Sequence, residues 1–168
     1  MVQLSTPISE EAAASLQVGD TVEISGYILC GRDAVLPKVL KMIEDGTVAE
    51  LGVDLHGQVI FHTAVSPAGV GPTSSNKLEI ESSIAPLSAA GIKLHLGKGQ
   101  LHPKTIAALD RCNAVYAVIP PVPALLGAKT TEQKVVALPE LGMEALHLIK
   151  ADKYPAIIGA AHGRSIYD

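Results

Sequence analysis

Hydrophobic and polar positions change period several times along the chain, and the changes mark out alternating helices and strands. Ser9, followed by Glu10 and Glu11, predicts a helix start, because a hydroxyl caps free N–H groups and acidic residues suit the positive first turn. This short helix is expected to end near Leu16. Val18-Gly19-Asp20 predicts a turn into an extended run over 21–30, where polar and apolar residues partly alternate. Over 33–45 the period lengthens to that of a helix. Leu36, Leu40 and Ile43 share one face there, Pro37 lies near the first turn and Gly46 closes the end.

Residues 58–65 predict a buried strand, and 66–75, rich in Pro, Gly, Ser and Thr, predict a loop. Two short helical pieces divided near Pro86 are expected next, the second ending about Ala90. The pattern then predicts a strand over 92–96, a turn at Gly97-Lys98-Gly99, a helix over 103–112 opened by Pro103, and a buried strand over 114–119. Pro120-Pro121-Val122-Pro123 follows as a stiff segment. Residues 134–138 are expected as a strand and 139–150 as a helix with Leu141, Ala145, Leu148 and Ile149 inward. Strands over 156–161 and 165–167, joined by a turn at His162-Gly163, complete the series. The alternation predicts an α/β domain spanning 1–168, with a mixed sheet and flanking helices; the strand order is not encoded in the pattern.

Composition narrows the function classes. Of 168 residues 48% are hydrophobic, enough for a sizeable core. One Phe, four Tyr and no Trp supply little surface for stacking bases, and a net charge of −4 lacks the basic footprint that phosphate backbones need. Nucleic acid is therefore not expected as a partner. The first residues show no basic stretch followed by an apolar run, and apolar runs such as 114–121 are too short to cross a bilayer, so a soluble cytoplasmic protein is expected. Cys30 and Cys112 stand far apart and read as structural thiols, since two thiols complete neither a zinc nor an iron–sulfur ligand set. The six histidines are scattered. His62 and His95 fall in predicted strands and read as core or edge residues, and none is assigned a role.

Candidate chemistry lies where strands end. Gly31-Arg32-Asp33 follows the first long strand and opens a helix, whose free N–H groups and positive end suit an anion, while Arg grips a carboxylate with two parallel hydrogen bonds. A surface position for Arg32 fits the pattern equally well, and Asp33 is expected only to cap the helix. Gly69-Val70-Gly71-Pro72-Thr73-Ser74-Ser75-Asn76-Lys77 combines small residues, hydroxyls and a cation, though a plain loop has the same composition. In Gly97-Lys98-Gly99 a lysine flanked by glycines can reach into a cleft, though taken alone the pattern is that of a solvated turn residue. It is not a Walker A loop, because the spacing back to Gly91 is wrong and Gly99 stands where Ser or Thr is required. If Arg32, Lys77 and Lys98 converge beyond the carboxyl ends of the strands, they form a pocket for a small polyanion, with Thr73 and Ser74 as hydroxyl partners.

At these turns the chain resembles the C-terminal domain, or separate β subunit, of class I fumarases and L(+)-tartrate dehydratases. The resemblance rests on Leu4-Ser5-Thr6-Pro7-Ile8-Ser9, Val18-Gly19-Asp20, Arg32-Asp33, Gly71-Pro72-Thr73-Ser74-Ser75, Gly97-Lys98-Gly99, Leu141-Gly142-Met143-Glu144-Ala145 and Tyr154-Pro155-Ala156, in one order over nearly the whole chain. It implies a swivelling β/β/α domain. It also implies a hydro-lyase that interconverts a hydroxy-dicarboxylate and its unsaturated acid, malate and fumarate first, with L(+)-tartrate or mesaconate as alternatives. A partner α subunit would hold a [4Fe–4S] cluster on three cysteines, and this chain would bind none by itself. Arg32 and Lys98 would bind substrate carboxylates with Ser74 and Lys77 beside them, and Thr73 would stand by the carbon that gains or loses a proton, acting with an acid from the partner. Lys77 replaces the family's arginine, Leu36 replaces its histidine, and residues 66–70 lengthen the loop; these departures bear on the substrate more than on the reaction type. A small-anion-binding module without catalytic role is the reading from another class, and a homodimer is the state open to the isolated chain.

Overall fold

The computed structural model describes residues 1–73, 77–120 and 123–168, with the side chains of 72, 73, 77–79 and 123 left out. The chain is α/β, with a mixed sheet and flanking helices. β1 (Val2–Ser5), β2 (Thr21–Cys30), β3 (Val59–Phe61), β6 (Leu94–Gly97) and β7 (Val115–Val118) run parallel in that spatial order. β9 (Leu146–Ala161) is antiparallel to both β7 and β2, so the path β2–β3–β6–β7–β9 returns to β2 and the sheet closes on itself. β8 (Thr130–Ala137) and the two-residue β10 (Arg164–Ser165) also pair with β9.

Closure explains the sequence pattern. Val22, Ile24, Ile28 and Cys30 of β2 join Val59, Phe61, Leu94, Leu96, Val115, Ala117 and Ile158 in one interior cluster. The intervening positions are also apolar, because helices cover the outside. Leu29 and Ile60 meet Val35 and Val39 under α2 (Leu36–Asp45) and Leu87 of α3 (Lys77–Ala89). Tyr116 and Ala160 meet Ile84 of α3 and Ile106 and Leu109 of α4 (Pro103–Arg111). Strands buried on both faces read as continuous apolar runs, as parallel strands do. Each fully buried aliphatic side chain contributes about 1.5–3 kcal/mol of transfer free energy, which sets the aliphatic core as the main stabilising term.

Several expected elements form as read. α1 (Glu10–Ser15) is capped by Ser9, whose hydroxyl accepts from Ala12 N at 3.0 Å. β2 has the predicted bounds, α4 opens on Pro103, and Gly46 ends α2 at φ +77°, a conformation that favours glycine. His162 and Gly163 form the turn between β9 and β10, both at positive φ.

Other expectations are corrected. The expected strand over 58–65 breaks at His62, and the expected loop over 66–75 contains a strand. β4 (Thr63–Ser66) and β5 (Gly69–Thr73) make a separate hairpin. Pro86 does not divide a helix: α3 runs through it and Ala90 N still reaches Pro86 O at 3.1 Å, because Ile84 and Leu87 on either side are fully buried. The expected helix over 139–150 is instead a 3₁₀ turn, Pro139–Glu144, broken at Gly142 (φ +60°, ψ −123°), followed by the start of β9. Ile149 and Ala151 face the interior while Leu146 and Leu148 pack under α2, so a strand apolar on both faces mimics a helical stripe. The helix expected from 33 starts at Leu36. Its cap is Val35, with no side-chain capping bond, so Asp33 does not cap it. α5 (Pro123–Ala128) was not foreseen in the proline-rich segment, and residues 121 and 122 of that segment lie outside the described residues.

Candidate functional site

Because β2, β3, β6 and β7 are parallel, their carboxyl ends share one edge of the sheet, where ligands of α/β folds gather. Arg32 follows β2, His62 follows β3 and Lys98 follows β6. With strands about 4.8 Å apart, Arg32 and Lys98 leave the sheet roughly 10 Å from each other. That span suits the two ends of a small dicarboxylate.

Arg32 is set by both its neighbours and a distant partner. A Cβ on Gly31 would come within 2.7 Å of Val35 Cγ1, so only glycine lets the turn close under the helix. The Arg32 carbonyl accepts from Val35 N and Leu36 N at 3.2 and 2.9 Å, which fixes the turn. Its Nε donates to Glu144 Oε2 at 2.8 Å, with the two side chains 35% and 27% exposed. Only Nε is committed among the described residues, so the Nη groups remain available to an incoming anion.

The hairpin rises from the end of β3 beside Arg32. Thr63 Oγ1 donates to Gly71 O at 2.8 Å, and Gln133 Nε2 of β8 donates to Ser66 O at 2.7 Å. These bonds hold a segment that has little apolar surface of its own. Between the hairpin, Arg32, Met143 and Ala124 and Gly127 of α5 lies a cavity of about 580 Å³. Thr73, the last residue of β5, pairs with Thr63, which places its backbone at the same edge; Lys77 is the first residue of α3. Ser74 lies outside the described residues, as do the side chains of Thr73 and Lys77. Arg32 and the hairpin are thus brought together. Lys98 shares their edge and lines neither of the cavities that Arg32 lines.

The Lys98 turn has its own support. Tyr116 Oη donates to Gly99 O at 3.1 Å, and a Cβ on Gly97 would stand 3.1 Å from the Tyr116 ring. Gly99 takes φ +83°. The two glycines flanking Lys98 therefore answer to the tyrosine beneath and to the left-handed backbone. Lys98 is exposed and makes no ion pair or hydrogen bond among the described residues.

Sequence reasoning missed Glu144 as the partner of Arg32. Its place in Leu141-Gly142-Met143-Glu144-Ala145 was the available signal, and no spacing rule connects positions so far apart. It also left His62 and His95 without a role. Both are fully buried, as expected of core residues, and they touch each other at the edge below Arg32.

Among the described residues, no group of three His, Cys, Asp or Glu side chains is placed to hold a metal ion. Cys30 lies inside the closed sheet, where burial pushes its thiol well above the ordinary range, and Cys112 caps the end of α4. These residues do not fit an iron–sulfur cluster site. No described helix is long and apolar enough to cross a membrane.

A family model described as Fumarase C-terminus matches residues 1–168. The chain belongs to the Fumarase C-terminus family. The resemblance read from the Arg32, Thr73 and Lys98 turns is borne out by that match. Among relatives, "L(+)-tartrate dehydratase subunit beta" of Escherichia coli K12 is 28% identical over 97% of this chain and 85% of its own length. "Putative fumarate hydratase class I" of Geobacillus stearothermophilus is 31% identical over 100% of this chain, which spans 34% of that protein. "Fumarate hydratase class I, anaerobic" of Escherichia coli K12 is 27% identical over 94% of this chain and 30% of its own length. Within the Fumarase C-terminus family, then, a length like this one occurs both as a separate subunit and as part of a longer chain.

Proposed function

We propose that this chain is the β subunit of a hydro-lyase that interconverts a hydroxy-dicarboxylate and its unsaturated acid. The observation that carries the reading is Arg32: Glu144 holds one side of its guanidinium, and Arg32 lines a cavity of about 580 Å³ on the carboxyl edge of the sheet. The full-length family match and the relatives' names, tartrate dehydratase and fumarate hydratase, support the reaction class.

In this reading the chain folds as one swivelling unit that closes over substrate bound by a partner. Arg32 takes one carboxylate through its Nη groups and Lys98 meets the other as a point charge. Thr73, with Ser74 beside it, sits next to the carbon whose proton is exchanged. A threonine hydroxyl is too weak a base alone, so an acidic group of the partner must share the proton. Lys77 adds positive charge without the two-pronged geometry of arginine. The [4Fe–4S] cluster implied by the family resemblance belongs, on this reading, to a partner α subunit. The work left to this chain is binding, orienting and excluding water.

The test is anaerobic co-expression with a cluster-bearing α subunit, followed by assays on malate, fumarate, L(+)-tartrate and mesaconate. Turnover that needs both chains is the expected outcome, and the best substrate names the enzyme. A stable complex inactive on all four overturns the substrate class. Dicarboxylate binding by the lone chain, with no association at all, points to the anion-binding module instead.

A further inference from the structure

Three buried polar side chains that the proposed reaction does not use stand in line behind the Arg32 turn. His62 Nε2 lies 3.3 Å from His95 Nδ1, with the rings stacked 5.5 Å apart, and His95 Nε2 lies 2.8 Å from Ser88 Oγ of α3. All three are shielded from solvent, His62 and His95 completely. His62 Nδ1 has no hydrogen-bond partner among the described residues.

Hydrogen-bond accounting favours one placement of the protons. Among the described residues the Ser88 hydroxyl has no acceptor other than His95 Nε2, so it donates there. His95 then carries its proton on Nδ1 and donates it to His62 Nε2. That leaves the His62 proton on Nδ1. The opposite tautomers would strand two groups, the Ser88 proton and the His62 Nδ1 lone pair, where this arrangement strands one. A charged histidine would not fit the line: burial, and for His95 also the neighbouring ring, favours the neutral form of both.

His62 stands next to the anion site. His62 lines a small cavity together with Arg32, Asp33 and Ser83, and Arg32 also walls the large cavity under the hairpin. The open space in the small cavity is about 10 Å³, room for a single oxygen atom.

We propose that His62 Nδ1–H is a neutral hydrogen-bond donor of the Arg32 carboxylate subsite, held in the donating tautomer by His95 and Ser88. The inference rests on the reading of Arg32 as a carboxylate binder. His62 donates through Nδ1–H to one oxygen of the carboxylate that Arg32 holds. Ser88 and His95 are positioning residues, acting through the tautomer alone.

Long-range 1H–15N spectra of the full chain, in the complex with and without the best of the four substrates, test this first. The expected result is a His62 proton on Nδ1 whose signal moves on saturation. Ser88→Ala is expected to mix the tautomers of both rings. A His62 proton on Nε2, or an Nδ1–H signal unmoved by substrate, overturns the proposal. Kinetics of the complex give the second readout. His62→Phe is expected to raise KM about ten- to hundredfold, the worth of a hydrogen bond to a charged group, with a smaller effect on kcat. His62→Asn, whose amide N–H falls near the Nδ1 position, is expected to recover most of the loss and also covers the case in which the phenylalanine variant does not fold. Normal KM in both His62 variants, with KM raised in Arg32→Ala, overturns the role of His62 and leaves the Arg32 reading standing. Normal KM in Arg32→Ala as well overturns both.

Discussion

Acid should weaken this fold well before carboxylates protonate, and His62 and His95 should be the cause. Burial pushes the His62 imidazole down to about 4, against an ordinary value near 6.5. His95 is held well below its ordinary value, by burial first and by His62 second. For a base with a depressed folded-state pKa, the unfolded chain takes up the proton first. The stability it protects is therefore fully present above about pH 6.5 and drains away as the pH falls towards 4. For His62 alone the gap is about 2.5 units, which amounts to roughly 3 kcal/mol. That is a large part of the roughly 5–15 kcal/mol that holds a domain of this kind together. Two cations on stacked rings would repel, so the second proton is resisted further. The charged residues lining the cavity beside His62 are Arg32 and Asp33, one of each sign. Urea unfolding at pH 7, 6 and 5 would measure the effect, comparing wild type with His62→Phe/His95→Leu. The wild type should lose about 1.4 kcal/mol per pH unit for each histidine once below pH 6, while the double variant should show a nearly flat profile. The slope is the readout, so an overall loss in the variant does not matter. Glu10 does not confuse the comparison: hydrogen bonds from Lys93 and Asn113 hold its carboxyl low, so its contribution is lost only from about pH 4.3 downward. Equal slopes for wild type and variant between pH 6 and 5 would refute the reasoning.

Arg32→Ala should lower kcat/KM of the reconstituted complex by roughly 100-fold or more while changing stability by less than about 1 kcal/mol, because its ion pair with Glu144 is about a third exposed. Glu144→Ala should raise KM less than that, by releasing the guanidinium from its fixed direction; an unchanged KM would mean that Glu144 does not orient Arg32. Gly97→Ala should cost about 1–3 kcal/mol in a urea melt by pressing on the Tyr116 ring, and should weaken substrate binding by shifting Lys98. Thr63→Val should cost about 1 kcal/mol by removing the bond to Gly71 O and should raise KM through the loosened hairpin. Cys30, buried inside the sheet with its thiol pushed up, should react with iodoacetamide only on unfolding, as read by mass spectrometry; rapid labelling in the native state would contradict its placement.

Much of the fold was legible where local chemistry and tertiary demand agree. Ser9 caps α1, Pro103 opens α4 and Gly46 ends α2 because each satisfies a backbone requirement of its own segment. β9 was misread because it faces the interior on one side and α2 on the other, and apolar residues on both faces leave no period of two to detect. The hairpin was misread for the opposite reason. Gly69-Val70-Gly71-Pro72-Thr73 has almost no side-chain pattern, and its strand pairing is enforced from outside, by Thr63 and by Gln133 of β8. The site divides along the same line. Arg32 and Lys98 were visible because a cation after a strand end, with glycine beside it, is a local signal. Glu144 and His62 were not, since each acquires its meaning from a partner on another element: Arg32 in one case, His95 and Ser88 in the other. What local sequence supplied was the charge that could grip a carboxylate. What only the closed sheet supplied was direction, by turning one guanidinium with a glutamate and leaving one buried imidazole nitrogen without a partner among the described residues. A site assembled this way should tolerate changes in its loops better than changes in the strand register that brings His62 and His95 into line.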